Sequence, residues 1–127
     1  MFKQNFSLGN LLEEHHELLL DGPRESRGME VGPREPFMQI QEEMVIQVDP
    51  DNAVALLELI QSDIEEMISS SGATIVGIGN WEIQPESTAY FSYSYSEGSI
   101  FGVINLWGVR GEGNTLVLIV QITERQN

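Results

Sequence analysis

Apart from its carboxylates, this sequence has few side chains for acid–base chemistry: two histidines and one lysine. Both histidines are adjacent, His15 and His16, among Glu13, Glu14 and Glu17. No histidine follows them, and no lysine follows Lys3. A helical zinc motif needs two histidines four residues apart, whereas adjacent ones diverge by about 100° around a helix axis. Glu13 and His16, three apart, share a side and could reach one ion. The spacing favours a plainer arrangement, one imidazole packed with leucines and the other solvated, with no metal and no cofactor.

Acid–base chemistry therefore falls to carboxylates. Glu42 occupies an inward position of FMQIQEEMVIQV (37–48), and Glu82 an inward position of a later strand. A carboxylate against apolar walls has a raised pKa, as a general acid or base requires. A β-bulge at Glu42-Glu43 and a wet strand end at Glu82 explain the same pattern without catalysis. GVRGEGN (108–114) adds Arg110 to a glycine-rich loop whose amides suit a small anion. It lacks the P-loop lysine and the helix that should follow. VGIGNW (76–81) begins like a dinucleotide-binding turn but has no third glycine and opens no helix. Its glycines mark a bulge or a close backbone approach. Glu42, Tyr93 and Arg110 are thus the residues that a pocket between helix and sheet would use, and no residue is assigned as catalytic.

Charge narrows the partners. Six Lys and Arg stand against twenty Asp and Glu, a net charge of -14. Such a surface repels a phosphate backbone, so no nucleic-acid partner is expected. An acidic inhibitor, of the immunity-protein kind, would use that charge on a basic partner; solubility is the other use. The acids are dispersed along the chain, which favours solubility. No stretch approaches the ~18 apolar residues of a membrane helix, and no cysteine offers a disulfide or thiolate. A cytoplasmic protein away from membranes is the expectation.

The elements that must position these residues follow from periodicity. In residues 1–21, Asn10 is placed to cap and Glu13 to complete a capping box. Leu11, Leu12, His15, Leu18 and Leu19 then share one helical face until Asp21-Gly22-Pro23. Residues 22–36, with three prolines and three glycines, read as a linker. Residues 37–127 read as one α+β domain of β-α-β-β-β-β order: a mostly antiparallel five-stranded sheet with one long helix on one face. That helix is the clearest element, with Asp49 as cap, Pro50 in first position, and a stripe of Ala53, Leu56, Leu57, Ile60, Ile64, Met67 and Ile68. Four strands follow, near 73–84, 87–96, 99–108 and 115–123.

The strands AYFSYSYSEGSIFGVINLWG (89–108) decide the functional reading. A two-residue turn at Glu97-Gly98 puts Tyr93 opposite Gly102 and turns Phe91, Tyr93, Tyr95, Ile104 and Leu106 inward. A five-residue loop at 110–114 adds Leu118 and Val120 to that side. The reverse side then carries Trp81, Tyr90, Phe101, Val103 and Trp107, too much aromatic surface to stay bare. One helix, ~10 Å wide, covers about half of one face of a sheet ~24 Å across. The N-terminal helix or a second copy has to cover the reverse face. The expectation is a non-catalytic protein that forms a homo-oligomer, most simply a dimer, or binds another protein through that aromatic face. A small-ligand binder or enzyme with a helix–sheet pocket is the alternative.

Overall fold

The computed structural model describes residues 6–20, 26–34, 37–80 and 89–126, with side chains for all of these except residues 26–40, Asn80 and Ala89. Trp81 and Glu82 lie outside the described residues. The order is α1 (Leu8–Glu14), a 3-10 turn (His16–Leu18), β1 (Ser26–Arg34), β2 (Phe37–Gln47), α2 (Pro50–Ser70), β3 (Thr74–Asn80), β4 (Ala89–Glu97), β5 (Ile100–Arg110) and β6 (Thr115–Gln126). The fold is α+β. Its sheet runs β1-β2-β6-β5-β4-β3, antiparallel throughout.

The long helix forms as its sequence dictates. The Asp49 carboxylate accepts the Asp51 amide at 3.2 Å, and Pro50 opens the first turn. Ala53, Leu56, Leu57, Ile60, Ile64 and Ile68 are buried, while Met67 is only partly so. Ser71 Oγ donates to the Ile68 carbonyl at 2.8 Å, and Gly72 then takes φ 89°. Only glycine enters that left-handed conformation without a steric cost, so the helix stops there. α2 carries the chain from β2 to β3 at the opposite edge, crossing the sheet's inner face.

The sheet keeps the expected faces but shifts the expected register. Gly98 and Ser99 make the β4–β5 turn, Glu97 pairs with Ile100, and Tyr95 lies opposite Gly102. The expected turn was one residue earlier, so every pairing moves by two. Side chains alternate with a period of two, so the inward set is unchanged. The same holds for β5–β6, where the Gly111 amide donates to the Thr115 carbonyl at 3.0 Å around Glu112-Gly113-Asn114. The loop is three residues rather than five, still odd, and Leu118 and Val120 are buried inward. In β3 the register slips between Ile75 and Gly77, the bulge that its glycines implied. A Cβ on Gly79 would lie 2.8 Å from Ser92 Oγ, the close approach they also implied.

Two expectations fail in the N-terminal third. The linker reading of 22–36 is corrected by β1, which pairs with β2 along Ser26–Arg34 and adds a sixth strand at the sheet edge. An edge strand bonds on one side only, so Gly28, Gly32 and Pro33 are tolerated where a central strand would exclude them. The N-terminal helix is also shorter than expected. Ser7 caps it, its Oγ accepting the Asn10 amide at 3.3 Å, and it ends at Glu14. Leu19 then bridges Val48 as extended chain.

Candidate functional site

The inner face is closed over most of β4, β5 and β6, whereas at the β3 edge Ile78, opposite Tyr93, is 58% exposed. Leu8, Leu11 and Leu12 of α1 join the buried stripe of α2 and the inward residues of β4, β5 and β6 in one core. The N-terminal helix therefore lies on the same side as α2. As cover for the aromatic face it is excluded by position. The Leu8 amide donates to Glu42 Oε2 at 3.3 Å, which is why a carboxylate sits at an inward position of β2. Burial pushes that carboxyl above its usual range, and the amide partly opposes the shift.

The inward tyrosines are satisfied rather than free. Tyr93 donates to Glu65 Oε2 of α2 at 3.0 Å, and burial lifts its phenol to about 12. Tyr95 donates to Glu124 Oε2 at 2.6 Å, and burial with that carboxylate holds its proton more firmly still. Gly102 makes this possible, because a Cβ there would lie 2.2 Å from Tyr95 Cζ. The ring thus lies across a bare stretch of β5, the glycine-covering role expected of Tyr93 but taken by Tyr95.

Glu42, Tyr93 and Arg110 do not converge. Glu42 of β2 pairs with Val120 of β6 and lies three strands from β4, whereas Tyr93 lies opposite Ile104 and Arg110 opposite Leu116 at the far end of β5. Buried side chains of α2 and β6 fill the space between them. Arg110 is half-buried, with its Nη1 lacking a partner among the described residues. An open cleft of about 340 Å³ lies elsewhere, between α1 and α2, lined among others by Asn10, Glu14, Asp63 and Glu66.

The outer face is different. None of its described side chains is fully buried. Tyr90 lies opposite Trp107, their ring centroids 5.5 Å apart at 42°, and the Tyr90 hydroxyl donates to Asn105 Oδ1 at 2.8 Å. Trp107 neighbours Ile119 of β6, and Val109 neighbours Val117, which in turn faces Val45 of β2. Val109 is 37% and Val45 36% exposed. These residues make one apolar end of the face. Phe101 belongs to the other end, six residues or about 20 Å along β5, where Arg125 sits 5.9 Å from its ring centroid. Between them run Ser92, Asn105, Gln121 and Gln41, and then Ser94, Val103 and Thr123. The sequence set of Tyr90, Phe101, Val103 and Trp107 is thus on one face, but only Tyr90 and Trp107 touch. Val45 and Val109 are the members that sequence reasoning missed; the alternation of Val45 with the inward Met44 and Ile46, and the place of Val109 two residues after Trp107, were the available signals.

Charge avoids this face. Its described side chains include one acid, Glu43, and one base, Arg125. The acids gather instead on α1 and α2, at Glu13, Glu14, Glu58, Glu65 and Glu66.

No family model matches the sequence, and no curated protein matches it. Among solved structures, a thioesterase family protein from Silicibacter pomeroyi is similar over 80% of this chain and 85% of its own, at 8% identity and a TM-score of 0.31. A likeness that slight carries nothing about chemistry or assembly here. Among the described residues no helix is long and apolar enough to cross a membrane.

Proposed function

We propose that this protein acts by association, a second copy docking on the outer face of its sheet. The observation that carries this reading is the apolar end formed by Val45, Tyr90, Trp107, Val109, Val117 and Ile119, with both helices on the opposite side. The near-neutral character of the face supports self-pairing, because two copies of a chain of net charge -14 can meet there without stacking acid on acid. It also argues against a basic partner, which would seek the acidic helices instead.

Size supports the same reading. Strands β2 to β6 present a face of about 20 Å by 30 Å, on the order of 600 Å² in projection, near the ~800 Å² per partner of an ordinary interface. A two-fold axis lying between two outer faces and parallel to them lets each Trp107 meet the partner's valines and closes the assembly. The protein works as a non-catalytic dimer or as a dimer that presents a further surface to another protein.

The test is molar mass by light scattering on the full chain. The native protein should weigh twice its 14.2 kDa, and Trp107→Ala should return it to the monomer mass with unchanged circular dichroism. A monomeric native protein, or a dimer indifferent to Trp107→Ala, overturns the proposal.

A further inference from the structure

The junction between the two helices holds a group of side chains that the association reading does not use. Glu14 is the last residue of α1, His15 follows it, and Asp63 lies in the middle of α2. His15 Nε2 is 2.5 Å from Asp63 Oδ2, with the two side chains 15% and 23% exposed. One ligand atom from each of Glu14, His15 and Asp63 lies within 4.8 Å of the other two. We propose that these three residues bind a divalent transition metal of the zinc class and thereby clamp α1 onto α2.

The donor set selects the ion. One imidazole nitrogen with two carboxylate oxygens suits zinc and its first-row neighbours, whereas magnesium and calcium favour oxygen alone. Zinc bonds such atoms at about 2.0–2.2 Å. His15 and Asp63 must part by roughly 1 Å and Glu14 must swing in, small side-chain rotations for two partly exposed groups and one exposed one. The adjoining cleft, open to solvent, gives the ion access and leaves room for water in the fourth position.

Electrostatics points the same way, independently of spacing. Glu14, Asp63 and Glu66 line one cleft. Among the described side chains the cations other than histidine are Arg110 and Arg125, both on the sheet. Glu14, Asp63 and Glu66 thus border one cleft beside His15, with no arginine or lysine among the described side chains of the two helices. Such a cleft attracts a divalent cation. His16 takes no part, since its Nδ1 meets the Glu13 carbonyl at 3.0 Å; the ion-binding pair suggested by sequence spacing, Glu13 with His16, is replaced by Glu14 with His15.

The consequence is structural. α1 has seven residues, too few to persist in water unless docked. Its leucines hold it on one side, and a bridging ion would hold its C-terminal end. Metal availability would then set how firmly the N-terminal segment is fastened.

The experiment is calorimetric titration of the metal-free full chain with zinc chloride, alongside thermal melting. We expect one zinc per chain with micromolar affinity, and a melting temperature that rises with zinc but not with magnesium at equal concentration. His15→Gln retains a hydrogen-bonding partner for Asp63 but removes the imidazole, and should abolish binding. Asp63→Asn, at the other helix, should do the same, and Glu14→Gln should weaken binding about tenfold or more. Glu13→Gln and His16→Gln should leave it unchanged. The proposal is overturned if native protein takes up no zinc, if magnesium binds equally well, or if zinc binds undiminished to the folded His15→Gln or Asp63→Asn chain. None of these results bears on the outer face, which lies across the sheet.

Discussion

Neighbouring residues of β4 and β5 live in two different environments. On the inner side, Phe91, Tyr93, Tyr95, Ile104 and Leu106 are at most 3% exposed, sealed by two helices. On the outer side, one residue along, Tyr90, Val103 and Trp107 are only partly buried. Both sets are large and apolar. The difference is the cover: both helices lie on the inner side, and burying what is left of each outer side chain would contribute a fraction of the ~1.5–3 kcal/mol of full burial, before ordering costs. That contrast motivates the proposed pairing of two copies through the outer face.

The sharpest way to break this contrast is truncation. Ile104→Ala should destabilise the fold by about 2–5 kcal/mol in urea melts, because a sealed core cannot collapse around the gap. Trp107→Ala, measured at concentrations low enough to hold the native protein as monomer, should cost distinctly less despite the larger side chain. Equal losses would erase the distinction between the faces.

Glycines offer a finer probe. Gly102→Ala drives a methyl into the Tyr95 ring and displaces its hydrogen bond to Glu124, a loss of about 1–3 kcal/mol by denaturant melts. Gly77→Ala, on the outer face, meets only Ser94 at 3.6 Å, an ordinary contact. It should be neutral, or stabilise by up to about 1 kcal/mol through the unfolded chain.

The smallest effect is one of pH. Burial keeps the proton on folded Glu42 at pH values where the unfolded chain has released it. Its contribution is therefore full below the ordinary value of 4.5 and declines as pH rises through the higher folded value. Glu42→Gln should remove this decline and leave the protein slightly more stable at neutral pH, its amide oxygen still accepting from Leu8. A stability profile identical to native from pH 4 to 7 would show that the side chain is effectively solvated.

How much of this was legible in residues alone depends on the range of the forces involved. The long helix was, from cap to last turn, because Asp49, Pro50 and the 3.6-residue stripe are local signals. The two faces of the sheet were too, because alternation survives errors of two in register. The β4–β5 pairing itself was not, since Glu97-Gly98 and Gly98-Ser99 are both acceptable turns and only the fit of Tyr95 over Gly102 separates them. β1 escaped notice because its backbone, rather than an alternating pattern, ties it to β2. Asp63 meets His15 across 48 residues, a contact that no periodicity encodes, and the side of the sheet on which α1 docks depends on Leu8 reaching Glu42. For the proposed interface, alternation placed Tyr90, Phe101, Val103 and Trp107 on one face, but Phe101 was grouped with Trp107 by type although the strand holds them far apart.

The central claim is that the apolar end of the outer face touches its own kind. Mixing isotope-labelled with unlabelled full-length protein and recording labelled-to-unlabelled nuclear Overhauser contacts tests it directly. The account predicts contacts from the Trp107 indole of one copy to Val45, Val117 or Ile119 methyls of the other. A dimer whose intermolecular contacts arise wholly elsewhere, with the Trp107 indole facing water, would contradict it.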